Sequence, residues 1–295
     1  MKIKKRIQKL YKRRIMPWLQ RAIGMDEITD NLYLFLNSAT DITKCRQASG
    51  LLRTLQLADT ELLKIIDLLC RENKICYWLD WGTLLGAVRH NGFIPWDDDL
   101  DICLPRSDYL RLYDVLRNFS DENKDFIIAS RESVEKGLMW VNYLANGTHL
   151  DIYPIDFFDA SVCSDNDQIL KEIDTYWTSD VYCSDKQEIA DPGQDNYVYF
   201  YHSNVWIKKR YFPGSIIFPL VEADFEGYRF YIPQNSEAYL TEIYGDYMSY
   251  PRNCVMKHKL LFESASKTEN SKFLENYKQL QNIRQQLQDQ NQNSE

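Results

Sequence analysis

Four aspartates crowd into one short run, Asp97-Asp98-Asp99-Leu100-Asp101. Asp99 and Asp101 stand two apart, and side chains two apart on a strand point to the same face. Leu100, Ile102 and Leu104 then point the other way, into a core. Two ionised carboxylates held that close repel each other, so a cation should compensate them. Mg²⁺ suits the pair, with Mn²⁺ as the alternative, because it takes few protein carboxylates and keeps positions for water and phosphate oxygens. A third acid on a neighbouring strand would complete the set. Asp151 is the first candidate, since Leu150 and Ile152 flank it in strand alternation, and Asp156 is the second. Asp97 and Asp98 taken alone read as acids of a solvated loop. Upstream, Gly82-Thr83 follows an apolar stretch and opens a helix, where backbone amides and a hydroxyl can hold a phosphate. Arg89 and His90 close that helix and are candidates, with Trp96, for contact with the substrate or its phosphate. Arg89 is suited either to clamp a phosphate through its planar fork or to complement the helix C-terminus.

The elements that must position these residues are legible in the spacing. Leu52, Leu55, Leu62, Ile65, Ile66 and Leu69 form one apolar face and predict a helix over 51–73. A strand follows at Ile75–Leu79, then a helix at Leu84–His90 that Asn91-Gly92 breaks. The acid pair lies on a strand over 99–104, and Ser107 is the expected N-cap of a helix near 108–119. Residues 126–160 read as strands and turns, and 166–177 as a helix. Short strands are expected over 211–232, broken at Pro213-Gly214, Pro219 and Glu226-Gly227, and then a helix Ser236–Tyr244 ending at Gly245. The Gln- and Asn-rich tail from about 267 is read as an appendage to the core.

With 295 residues, 44 % hydrophobic and 26 % charged, the chain can bury a sizeable core. Its net charge of −8 is unevenly spread. Residues 1–21 hold nine bases (Lys2, Lys4, Lys5, Arg6, Lys9, Lys12, Arg13, Arg14, Arg21) and no acid, which leaves an acidic body. Such a body excludes broad nucleic-acid binding, which needs a basic footprint. No apolar run is long enough to span a membrane. The leader either lies as a basic amphipathic helix on an anionic membrane surface or stays solvated. The 7 Cys are odd in number and none has CxxC spacing, so neither a disulfide framework nor a zinc signature follows. Free thiols of this kind fit a reducing cytoplasm.

Residues 82–102 resemble the LicD family of phosphocholine transferases, which includes the fukutin-related ribitol-phosphate transferases. Leu150-Asp151-Ile152-Tyr153-Pro154-Ile155-Asp156 resembles a second family block. A third is made by Phe225-Glu226-Gly227, Ile232-Pro233, Asn235, Tyr239-Leu240 and Tyr244-Gly245-Asp246-Tyr247. The resemblance runs from about residue 55 to 255. It departs at Tyr153, where Phe is common, and at Pro251, where two prolines are frequent. It implies an α+β, nucleotidyltransferase-like core, a mixed sheet with flanking helices. The implied organisation is a leader (1–24), a linker (25–50), a catalytic domain (51–265) and a tail (266–295). It also implies transfer of a phospho-alcohol, phosphocholine in the founding case, from a CDP-linked donor to a hydroxyl of a surface glycan. Asp99, Asp101 and Asp151 would then hold Mg²⁺ against the donor diphosphate, with Gly82 and Thr83 on a phosphate oxygen. Asp97, Asp98 or Asp156 would take the acceptor proton, and Trp96 or Tyr153 would face a choline ammonium. The enzyme would work in the cytoplasm, with its leader at the inner membrane face. Three rivals remain: a nucleotidyltransferase releasing pyrophosphate; a non-catalytic glycan-binding or scaffold protein, whose mark would be loss of the acid pair; and a membrane-associated structural partner, suggested only by the basic leader.

Overall fold

The computed structural model describes residues 25–144, 148–177, 192–201, 210–251 and 267–292. The basic leader, Cys183 and Cys254 lie outside them. The described residues form two compact units, one drawn from within 1–45 and 246–255 and the other from within 46–245 and 256–295. In the first, the stretch expected as linker carries helix α1 (Met25–Ala39) and a short 3-10 turn at Ile42–Lys44, which Asp41 caps.

The second unit begins with the amphipathic helix α2 (Gly50–Glu72). Leu55, Leu62, Ile65, Ile66 and Leu69 are buried as the spacing requires. The helix packs on the long strand β5 (Thr148–Asp159). Its other side is covered by the last helix, Lys267–Gln292. The tail is therefore part of the packed structure and not the appendage expected from its composition. Leu280 is fully buried, Arg284 pairs with Glu61 at 2.6 Å, and Gln279 accepts from the Tyr143 hydroxyl at 2.9 Å. A polar sequence hides this, because α2 needs only one apolar stripe and a few polar anchors to seat a second helix.

The sheet runs in the order β1 (Trp78–Leu79), β2 (Leu100–Pro105), β5, β4 (Met139–Tyr143), β3 (Phe126–Ile128). β6 (Tyr197–Tyr201) joins the far half of β5, and β7 (Tyr211–Pro213) joins β6. Among the described strands only β2 and β5 are parallel, and every other pair in the sheet is antiparallel. This is the mixed sheet with flanking helices that the α+β reading anticipates. A separate hairpin, β8 (Val221–Phe225) and β9 (Tyr228–Ile232), turns through Glu226 and Gly227, at φ 53° and 74°. Two successive positive φ values make this the hairpin turn whose twist matches its strands.

Several boundaries move for local reasons. Helix α3 (Trp81–His90) starts one residue before Gly82, because Asp80 caps it by accepting from the Trp81 amide at 2.8 Å. Ser107 is not an N-cap: α4 (Arg106–Glu122) leaves β2 directly from Pro105, whose φ of −53° already suits a helix. Only Trp78 and Leu79 of the expected strand pair with β2. A short helix α5 (Arg131–Glu135) lies where strands and turns were expected, capped by Ser130. Helix α6 (Asn166–Trp177) falls where the spacing puts it, and α7 (Gly214–Ile217) interrupts 211–232. Helix α8 (Ser236–Tyr244) also matches its spacing, and Gly245 ends it at φ 71°.

Gly86 shows how closely α3 lies on the loop that follows it. A Cβ there would stand 2.4 Å from the Gly92 carbonyl oxygen and 3.3 Å from the Ile94 amide nitrogen. Backbone cannot swing aside as a side chain does. Gly86→Ala is expected to cost roughly 1–3 kcal/mol through overpacking, read as a lower midpoint in urea unfolding.

Candidate active site

The acids are assembled by the one parallel pairing. Register sets Asp101 of β2 directly opposite Asp151 of β5. Asp99, one residue before β2, joins them, and each of the three offers a carboxylate oxygen within 4.8 Å of the others. Asp97, Asp98 and Asp99 form a second such group under the same limit. Asp98 and Asp99 are only 4 % and 3 % exposed, and Asp97 is half-buried. The solvated loop expected for Asp97 and Asp98 is thus corrected: Gln56 of α2 donates to the Asp97 carbonyl at 2.9 Å and draws the run under the helix. Three convergent carboxylates are a donor set that suits a hard divalent ion.

Gly82 and Thr83 each serve this geometry. A Cβ on Gly82 would meet Asp97 Oδ2 at 2.6 Å, so glycine leaves room for that carboxylate. The buried Thr83 hydroxyl accepts from the Asp101 amide at 2.8 Å and ties α3 to β2. Their own amides belong to the first helical turn, where no carbonyl of the helix can reach them. Trp96 is half-buried beside Asp97.

Asp151 is held from one side by His149, whose Nε2 lies 3.0 Å from Asp151 Oδ1. His149 Nδ1 lies 2.6 Å from Asn142 Oδ1, and its ring stacks on Trp140. The Tyr153 hydroxyl stands 3.5 Å from Asp151 Oδ2. Burial, then the charges of Asp101 and Asp151, push that phenol well above its ordinary range, so it remains a proton donor.

Asp156 does not belong to this group. It is five residues beyond Asp151, an odd step along a strand, and so faces the other side of the sheet. There it is fully buried against Arg106, which donates to both its oxygens at 2.6–2.9 Å. Asp156 is not among the acids whose oxygens converge here, and its charge is met by Arg106 instead. Arg89 is also buried, at 7 % exposure, and its Nε donates to His90 Nε2 at 3.1 Å. Burial and the Arg89 charge pull His90 down to about 4, so the imidazole is neutral near pH 7. Glu226 acts on the structure. It grips Arg53 at 2.6 and 2.9 Å and accepts from the Phe93 amide at 3.1 Å, pinning the loop ahead of the acids.

Sequence reasoning passed over three residues. Asp59 sits on the apolar stripe of α2 between Leu55 and Leu62, and an acid on such a stripe was the available signal. His149 alternates with Asp151 on the half-buried side of β5. Asp80 has the type and place of an N-cap. It is fully buried under the hydroxyls of Tyr201 and Tyr239, at 2.6 and 3.2 Å, and burial raises it to about 6. The unfolded chain releases this proton near 3.8 and the folded chain near 6, so the native state binds more protons between those values. Wild-type stability relative to Asp80→Asn should therefore fall as pH rises from about 4 to about 6. The expected size is on the order of 3 kcal/mol, measured by urea unfolding across that window.

A family model described as the LicD/FKTN/FKRP nucleotidyltransferase domain matches residues 74–235. Lipopolysaccharide cholinephosphotransferase LicD of Haemophilus influenzae is 41 % identical over 83 residues, 28 % of this chain and 31 % of that protein. The ribitol 5-phosphate transferases FKRP of Mus musculus and Homo sapiens are each 32 % identical over 84 residues, 26 % of this chain and 16 % of theirs. The similarity thus spans less than a third of the length of any of these relatives. No helix among the described residues is long and apolar enough to cross a membrane. The family match takes in every strand of the acid-bearing sheet, including the parallel pair that joins Asp101 to Asp151, and the chain belongs to the LicD family.

Proposed function

We propose that the protein transfers a phospho-alcohol, phosphocholine first among the candidates, from a CDP-linked donor to a hydroxyl of a surface glycan of lipopolysaccharide, teichoic acid or capsule type. The observation that carries this reading is the convergence of Asp99, Asp101 and Asp151 from two parallel strands. The names of the relatives support the group transferred: one is a cholinephosphotransferase and two are ribitol 5-phosphate transferases.

Asp99, Asp101 and Asp151 would hold a divalent cation, Mg²⁺ or Mn²⁺, which when bound would supply positive charge to balance the diphosphate and the leaving group. The chain's own residues do the rest. Gly82 and Thr83 present first-turn amides to a phosphate oxygen. His149 fixes the orientation of Asp151. Asp97, half-buried at the edge of the group, takes the acceptor proton, with Asp98 as the alternative. Asp97 is favoured because its carboxylate lies against Gly82 of the phosphate turn.

The test is incubation with CDP-choline, CDP-ribitol and CTP, with Mg²⁺ and candidate glycans. CMP release that depends on a CDP-alcohol and a glycan is expected. Pyrophosphate release from CTP would replace this reading with nucleotidyl transfer, and no turnover with a bound glycan would replace it with glycan recognition alone. The nine bases of residues 1–21 point to an anionic membrane surface, at the inner face of the cytoplasmic membrane. Removing residues 1–24 should cut co-sedimentation with anionic liposomes at least about tenfold and leave soluble CMP release unchanged, since each base near such a surface contributes about 1 kcal/mol. Equal sedimentation of both forms would end the membrane role.

A further inference from the structure

An open groove of 780 Å³ lies between α6, β7, α7 and α8, and none of the acids that converge on β2 and β5 lines it. Leu170 and Ile216 give it an apolar part, and Tyr211 adds a phenol ring. The Tyr211 hydroxyl donates to Asn166 Oδ1 at 2.8 Å, which fixes the ring from the α6 side. Burial, then the charge of Glu242, raise that phenol, so the carboxylate stands close to the ring. Asn235 spends its Oδ1 on the Ala238 amide at 3.0 Å and keeps its Nδ2 to donate. Glu237 and Glu242 are exposed, and neither makes an ion pair among the described residues.

This set of side chains selects among ligands. No lysine or arginine lines the groove. A phosphate or carboxylate would meet two acids and no cation there, and like charges suppress such partners. A wholly apolar ligand would leave the amides and carboxylates without partners. A sugar ring satisfies both parts. Its C–H face can lie on the phenol and the apolar side chains, while its hydroxyls donate to the carboxylates and accept from the amides.

Helix α8 links the groove to the acids of the site. Thr241 and Glu242 line the groove, and Tyr244 follows within one helical turn. The Tyr244 ring meets Trp81, the first residue of α3, edge-on at 6.4 Å. Burial, then the charges of Asp101, Asp80, Asp97 and Asp99, raise the Tyr244 phenol, which places this end of α8 beside the acids.

We propose that the groove is a carbohydrate-binding subsite that takes a sugar ring without acidic groups. Its role as a subsite for the acceptor glycan rests on the transfer reaction proposed above; its preference for non-anionic sugars does not.

The test is saturation-transfer NMR on the full chain with three probes: chitotriose, the chitosan trimer and trigalacturonate. The first two are expected to bind, and the anionic trimer at least about tenfold more weakly. Tyr211→Ala should weaken chitotriose at least about tenfold by removing the ring it lies on. Thr241→Arg should do the same by filling the groove, and it is the variant that keeps the fold, since Thr241 is exposed on α8 and arginine is a good helix former. Near-UV circular dichroism checks both, and Thr241→Arg alone decides if Tyr211→Ala loses its packing. In the CMP-release assay Thr241→Arg should raise the KM for the glycan at least about tenfold and leave the KM for the CDP-alcohol unchanged. No transfer to chitotriose or the chitosan trimer, equal binding of trigalacturonate, or unchanged binding in folded Thr241→Arg would each overturn the subsite. Unchanged glycan KM in Thr241→Arg, with CMP still released, would remove the acceptor role and leave the transfer reaction standing. Sugar binding that Thr241→Arg abolishes, with no CMP from any CDP-alcohol, would sink the reaction and uphold the groove.

Discussion

Asp101→Asn is expected to lower turnover at least about 10³-fold and to leave the fold in place. The anchor between α3 and β2 runs from the Asp101 amide to the Thr83 hydroxyl, so the side chain can change without breaking it. What is lost is one negative charge from a group of three carboxylates within 4.8 Å of one another. A bound divalent ion stabilises developing charge by several kcal/mol, and every 1.36 kcal/mol is about a factor of ten in rate. Relief of repulsion acts the other way on stability: one charge fewer among crowded acids should raise the unfolding midpoint of the metal-stripped protein. The paired readout is CMP release under saturating Mg²⁺ and urea unfolding in chelator. Unchanged turnover would remove Asp101 from the ligand set, and a lower midpoint in chelator would contradict the charge-crowding argument.

Asp156→Ala is expected to destabilise the protein by roughly 3–5 kcal/mol, the cost of leaving a buried charge without its partner. Arg106 is 2 % exposed and Asp156 is 0 %, and the guanidinium grips both carboxylate oxygens. Truncating the acid takes that carboxylate from a guanidinium held in the interior. Replacing both partners, as in Arg106→Met with Asp156→Leu, should recover most of the loss, because two apolar side chains of similar volume need no mutual solvation. Urea unfolding of the two single variants and the double variant separates the pair from its parts. A cost under about 1 kcal/mol for Asp156→Ala would show that water or another group compensates Arg106. Activity should follow stability here, since Asp156 faces away from the acids of the site.

Local spacing carried much of the layout. The apolar stripe of α2, the alternation around Asp99 and Asp101, and the helix Ser236–Tyr244 each depend on neighbours within a few residues, and each stands where it was read. The residue types of the 82–102 segment were enough to pick out the family. Even the choice of Asp151 over Asp156 was legible, since strand parity alone separates them.

Contacts distant in sequence could not be read this way. Asp59 becomes part of the acid region only because Gln56 and the His149 amide, 41 and 90 residues from their partners, seat α2 over it. Arg106 and Asp156, 50 apart, meet only across the sheet. The Gln-rich tail becomes structural through Leu280 and Arg284, the latter meeting Glu61 from 223 residues away. By itself, then, the sequence determined which residues alternate, which turn, and which acids share a face, because those follow from backbone periodicity. The tertiary structure alone decided which charges are buried together and which partner neutralises each, because desolvation and pairing are properties of chain segments brought together by folding.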